Sequence, residues 1–292
     1  MLYDIKLTIT YAYDRSANAG RHLLRLTPAH IAGEQRVIAA NLDIEPRPEE
    51  RSALTDFFGN VAAEIAFHSA HAEIGFVVST RVERFAEALI FDMSPTLSQL
   101  TRELNDYRAL GADSPHHFLG PSPRIGQDPA ITAYARDVIR SEMTAIEIVR
   151  SIGAALQRDI RYDTEATTVD TTPEEAFARR RGVCQDITQI MISGLRGLGV
   201  PAGYVSGVLR TNPPPGKQRL EGADAMHAWV RAWCGVEAGW VEFDPTNAMV
   251  VGADHVVFAR GRDYSDVAPV KGVLRTAGSQ ISEQAVDVKS LG

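Results

Sequence analysis

In the first thirteen residues, MLYDIKLTITYAY, Ile5, Leu7, Ile9, Tyr11 and Tyr13 fall on one side of an extended chain and Asp4, Lys6, Thr8 and Thr10 on the other. A period of two is the mark of a pleated strand with one dry face, so the chain has to start in a half-buried sheet. Further strands are expected at 21–27 and at 36–44, where Ile38, Ala40, Leu42 and Ile44 share a face before Pro46 and Pro48 close the run. Asp56-Phe57-Phe58-Gly59-Asn60 carries a turn signal between extended segments. A last pair is expected at 61–68 and 74–85, with Ile74, Phe76, Val78, Thr80 and Val82 at period two. Short strands separated by turns at this spacing predict an all-β sandwich over 1–92.

The pattern then changes. Residues 93–128, which include HHFLGPSPRIGQDP, are rich in Ser, Pro and Gly and read as a linker, with a short helix expected at 97–107. Helical spacing appears at 131–139 and at 144–160, where Ile148, Ile152, Leu156 and Ile160 recur four apart, and Pro173 opens another short helix. The stretch RGVCQDITQIMISGLRGLGV at 181–200 carries an apolar stripe of Ile187, Ile190, Met191, Leu195 and Leu198, enough to bury one helical face. Strands follow at 201–209, 226–234 and 240–243, with the proline-broken loop TNPPPGKQRLEGAD between the first two. Helices first and strands afterwards predict an α+β unit over 129–292.

With 45% of 292 residues hydrophobic, the chain can fill two cores of ordinary size. A net charge of −7 gives no broad attraction to nucleic acid or to an anionic membrane, and Arg179-Arg180-Arg181 lacks the interleaved aromatics of a nucleic-acid site. No basic leader precedes an apolar run, and no run reaches membrane-spanning length, so a cytoplasmic protein is expected. Its two cysteines, Cys184 and Cys234, differ in setting and are expected to be reduced thiols. His68 with His71, and His116 with His117, are the only close histidine sets; neither has zinc-like companions, and no phosphate-binding glycine motif occurs. No metal and no cofactor are expected.

Cys184 opens its helix directly after a Gly-Val turn. Unpaired amide N–H groups and the positive end of the helix dipole favour a thiolate there, and can receive the oxyanion of an attacked carbonyl. His227 in AMHAWV and Asp244 in WVEFDPTN flank a hairpin. A turn centred on Gly235-Val236 would set them directly opposite; a turn displaced by a residue or two would leave them diagonal. In order, a cysteine, a histidine and an aspartate supply a nucleophile, its base and the group that orients the base. Cys234, inside a strand beside Trp233, reads as inert packing.

GVCQD, DAMHAWV and GWVEFDPTN together resemble the transglutaminase-like branch of the papain-like cysteine hydrolases. The DFFGN turn and HVVFARGRDYSDVAPVKG resemble its bacterial two-domain members, so the likeness covers nearly the whole chain. It implies a papain-like transglutaminase core, with a helix-borne cysteine packed on an antiparallel sheet, behind a β-sandwich. It also implies a catalytic triad of Cys184, His227 and Asp244 acting through a thioester on a peptide or protein amide. With water as acceptor the product is that of a peptidase or amidase, the favoured reading; with an amine it is that of a transglutaminase. A catalytically inactive binding or assembly module is the alternative of another class. Gln189 and Met226 stand where relatives often carry His and Ser, and the upstream glutamine of papain-like proteases has no counterpart in AFARRRGV. Tyr162 is the candidate for the second oxyanion donor, while Gln185 and Asp186 are assigned to the helix start.

Overall fold

The computed structural model describes residues 1–85, 91–211, 224–276 and 278–291. The first six strands are β1 (Leu2–Ala17), β2 (Gly20–Leu24), β3 (Gln35–Glu45), β4 (Glu50–Thr55), β5 (Val61–Phe67) and β6 (His71–Arg84). Tyr3, Ile5, Leu7 and Ile9 of β1 are buried with Phe76 and Val78 of β6 against Leu24, Ile65 and Phe67 of the facing sheet, as the alternation requires. In β3 the alternation fails at one point. A bulge between Val37 and Ala39 shifts the register, so Ile38 turns outward and is 49% exposed, while Leu42 and Ile44 stay buried.

The helical part comprises α1 (Leu97–Asp106), α2 (Pro129–Val138), α3 (Ala145–Asp159), β7 (Arg161–Tyr162), α4 (Pro173–Arg179), β8 (Arg181–Gly182) and α5 (Cys184–Gly197). Its starts are capped by side chains: Asp128 accepts the Ile131 N–H at 2.7 Å, and Thr144 and Thr172 form capping boxes with Glu147 and Glu175. The segment 93–128 is not the linker its composition suggests. Leu100, Leu104 and Ile125 are buried in the same core as α3 and α5, and its Ser, Pro and Gly residues serve turns between these anchors.

A second sheet completes this core: β9 (Ala202–Leu209), β10 (Met226–Trp233), β11 (Trp240–Asp244), β12 (Met249–Val250) and β13 (His255–Gly261), in the order β12-β11-β10-β9-β13. Helix α5 lies on β9 and β10 and is covered by α2, α3 and α4, so it is buried on nearly every side. Gly197 permits the tightest of these approaches, since a Cβ there would sit 2.1 Å from Thr132 Oγ1 of α2. The fold is α+β, a helix-and-sheet core behind a β-sandwich. Most of the proline-broken loop at 211–224 lies outside the described residues.

The chain then runs through α6 (Tyr264–Val267) and two strands, β14 (Val270–Leu274) and β15 (Gln280–Ser290). These belong to the sandwich. β14 pairs with β2 and β15 with β1, giving sheets ordered β14-β2-β5-β4 and β15-β1-β6-β3. The expectation of one catalytic unit running to 292 is corrected accordingly. Only Val286 and Val288 of β15 are buried, too few apolar residues for the tail to announce its partner. The two halves are also bonded to each other. Buried Gln35 donates to Ala29 O at 2.7 Å and to Val257 O at 2.8 Å, and accepts the Val257 N–H at 2.9 Å. Val208, Val256 and Phe258 of the second sheet enter the sandwich core. No helix among the described residues is long and apolar enough to cross a membrane.

Candidate active site

The parallel pairing of β7 with β8 sets Tyr162 beside Gly182, two residues before Cys184. Gly182 has no room for a side chain, because a Cβ would lie 2.6 Å from Asp186 Oδ2. That oxygen accepts the Val183 N–H at 2.8 Å and the Thr167 hydroxyl at 2.7 Å, so Asp186 does fasten the helix start. Burial raises the Asp186 pKa, against the lowering effect of these two hydrogen bonds. Gln185 Nε2 donates to Val169 O at 3.1 Å and ties the 163–171 loop to the same point. Cys184 itself is half-buried at the start of α5.

The hairpin register pairs Val230 with Phe243 and Trp233 with Trp240. Its connection runs from Cys234 to Gly239 and uses positive φ at Gly235 (100°) and Gly239 (63°). The turn is therefore displaced by a residue from Gly235-Val236, and His227 and Asp244 are diagonal neighbours. They still meet: His227 Nε2 donates to Asp244 Oδ2 at 2.7 Å. The Cys184 sulfur acts on the same imidazole and helps to raise its pKa, so the three residues are brought close together.

Asp244 is fully buried and surrounded by donors. Oδ1 accepts the N–H groups of Thr246 at 2.9 Å and Asn247 at 3.2 Å; Oδ2 accepts, besides His227, Asn247 Nδ2 at 2.7 Å and His255 Nε2 at 3.2 Å. Burial alone would raise its pKa, but these bonds and the charge of His227 hold the carboxyl well below the usual range. Burial alone would lower His227; its hydrogen bond to Asp244 and its interaction with Cys184, with the charges of both, push it up to about 10. At neutral pH the pair is an imidazolium held by a carboxylate.

Tyr162 is 54% exposed, and its phenol is raised by burial and by the charge of Cys184. Tyr204 of β9, which sequence reasoning did not single out, is buried and responds to the same sulfur. Its place in the apolar run AGYVSGVL hides it. His255 was missed as well, since it lies eleven residues beyond Asp244 and reaches it only once β13 pairs with β9 and β9 with β10. His227, Asp244 and His255 offer three ligand atoms within 4.8 Å of one another, an arrangement that could also hold a metal ion. The two histidine pairs noted in the sequence have other partners: His68 Nε2 lies 2.7 Å from Glu50, and His116 and His117 bond to backbone carbonyls. Cys234 is buried, which pushes its thiol up to about 12.

Residues 3–83 match the bacterial transglutaminase-like N-terminal region, and residues 132–245 match the transglutaminase-like superfamily. An uncharacterized protein of Mycobacterium tuberculosis is 31% identical over 98% of this chain and 89% of its own length. One from Mycobacterium leprae is 29% identical, with 96% of each chain covered. Among solved structures, a candidate cysteine protease from Cytophaga hutchinsonii superposes with a TM-score of 0.73 at 19% identity, covering 100% of this chain and 91% of its own, a likeness of fold. With both regions matched in order and a relative aligned almost end to end, the chain belongs to the transglutaminase-like superfamily, in its bacterial form with an N-terminal β-region.

Proposed function

We propose that the protein is a cysteine-dependent acyl-transfer enzyme acting on a peptide or glutamine-type amide. The observation that carries this reading is His227, hydrogen-bonded to the buried carboxylate of Asp244 and raised in pKa by that carboxylate and by the Cys184 sulfur at the start of α5. Cys184 Sγ attacks the amide carbonyl carbon and forms a C–S bond; the C–N bond breaks, and His227 gives its proton to the departing amine. The amide N–H groups at the start of α5, with the Tyr162 hydroxyl as second donor, receive the oxyanion. Water then attacks the thioester, leaves its proton on His227 and releases the acid, which makes the enzyme a peptidase or amidase. An amine in place of water gives a transglutaminase from the same thioester.

The test is trapping with a library of peptides and amides, with wild type and Cys184→Ala compared by mass spectrometry. An acyl adduct on wild type alone supports the reading; an adduct on both excludes Cys184 as its site. Iodoacetamide supplies a control that needs no substrate, because buried Cys234 serves as the internal reference. A Cys184 no more reactive than Cys234 would leave a binding or assembly module as the reading.

A further inference from the structure

We propose that a cavity of about 390 Å³, at the seam between the sandwich and the helix-and-sheet core, binds a small ligand in which one carboxylate is joined to a flat apolar ring. One wall is the Asp56–Asn60 turn, which is fastened on both sides. Asp56 Oδ1 accepts the N–H groups of Phe58 and Asn60 at 3.0 Å each, while Asn60 donates to Arg260 O at 2.8 Å and accepts the Arg260 N–H at 2.7 Å. The turn thereby presents two phenylalanines to the cavity. Phe57 is 59% exposed and stands edge-on to Phe58 and to His117, with centroids 5.1 Å away in each case. A large ring held in this way beside a cavity offers its apolar face to a ligand.

The charged part of the site comes from two arginines, each gripped on one side by an aspartate. Arg25 is 8% exposed; its Nε donates to Asp56 Oδ2 at 2.8 Å, and its buried Nη1 has no partner among the described residues. An unpaired N–H on a buried guanidinium is destabilising, and a ligand oxygen would satisfy it. Asp56 does not cancel Arg25 outright, because the same carboxylate also serves Asn60 Nδ2 and two backbone N–H groups. Arg262 lines the same cavity, its guanidinium carbon 5.8 Å from the centre of the Phe58 ring. Asp266 takes its Nε at 2.8 Å and its Nη2 at 3.1 Å, which leaves Nη1 for a ligand. Two guanidinium forks and two rings around one space suit an aromatic carboxylate. Charge decides against a phosphate: Asp56 and Asp266 line the cavity too, and a dianion would meet about twice the repulsion that a carboxylate meets. The volume falls among those of small-molecule sites, about 300–1,000 Å³.

Cys184, His227 and Asp244 are not lining residues, so this site is separate from that of acyl transfer. The test is calorimetric titration of the full chain with naphthoate at neutral pH, where a Kd of about 1 mM or below is expected for a ligand of this size. Naphthamide keeps the ring and loses the charge, and should bind about tenfold more weakly. Arg25→Gln would disturb the turn to which it is bonded, so the decisive variants are at the more exposed side chains. Arg262→Gln should weaken naphthoate by about tenfold and leave naphthamide unchanged; Phe57→Ala should weaken both by about two- to tenfold. Cys184→Ala should bind naphthoate as wild type does. Absence of binding, equal binding of naphthoate and naphthamide, tighter binding of phenyl phosphate, or naphthoate binding indifferent to both variants would overturn the proposal. Loss of binding in Cys184→Ala would place the ligand in the catalytic cleft and overturn it as well. Binding is read without turnover, so failed thioester trapping strikes only the acyl-transfer reading, and failed naphthoate binding strikes only this one.

Discussion

Gly207 lies in β9 between His227 on one side and Val257 on the other, and Gly207→Ala tests whether the wall behind the site is rigid. A Cβ at this position would lie 2.2 Å from Val256 O and 2.4 Å from Trp229 Cη2. Neither neighbour can yield cheaply. The first is backbone of a paired strand, and the second belongs to a fully buried indole whose Nε1 donates to Glu242 Oε2 at 2.7 Å. Overpacking of this kind costs about 1–3 kcal/mol. If the indole moves, buried Glu242 loses a hydrogen bond to a charged group, worth about 1.5–3 kcal/mol more. The sum, roughly 3–6 kcal/mol, should lower Tm by about 10–20 °C at about 3 °C per kcal/mol for a chain of this size. Because Trp229 also touches His255 and His227, with centroids 5.2 and 6.2 Å away, iodoacetamide modification of Cys184 should slow by about tenfold below the transition. Thermal unfolding followed by tryptophan fluorescence, with timed alkylation, measures both. A Tm within about 3 °C of wild type and unchanged alkylation would refute the rigid wall.

Asp244→Asn should not be a mild change, because both carboxylate oxygens face donors and the new amide N–H must point at one of them. The His227 midpoint should fall from about 10 towards the ordinary 6.5, read from the pH dependence of alkylation; a midpoint still near 10 would remove Asp244 as its cause. His227 also sets a pH dependence of stability. Its folded pKa is raised, so the folded state holds the extra proton: the stabilisation is complete below about pH 6.5 and is lost as pH rises through about 10. Urea midpoints should therefore decline between those values and flatten in His227→Gln. Gln35→Ala removes three hydrogen bonds, two of which join the halves, and strands the Val257 N–H, which should cost about 2–4 kcal/mol by urea unfolding; a loss below about 1 kcal/mol would show that the contact is replaceable.

What was legible in the sequence was whatever a local period could carry. The alternation of β1, the four-residue spacing of α3 and the glycine-delivered Cys184 each act through near neighbours, and each has the expected structure. Ile38 defeated the same reasoning because a bulge moves one residue without changing composition. The hairpin left two arrangements open, and the positive-φ glycines at 235 and 239 select the diagonal one by lengthening the turn. His255 and Tyr204 were invisible for another reason: their importance comes from strand pairings in a sheet ordered differently from the chain. The segment 93–128 misled through composition, since a few buried anchors outweigh many turn residues in deciding what packs.

The return of the chain to its first sheets also bears on synthesis. A ribosome delivers β1 and β2 early, yet the strands that lie against them, β15 and β14, come from residues 270–290. Until residues 270–290 have been made, those two strands present uncovered backbone N–H and C=O groups, the kind of edge that invites pairing with another chain. β1 is the longer hazard, with eleven residues paired to β15 in the finished protein. The nascent half-sandwich thus depends on strands made long after it, and truncation after α6 should yield a protein that associates through β1 before it unfolds.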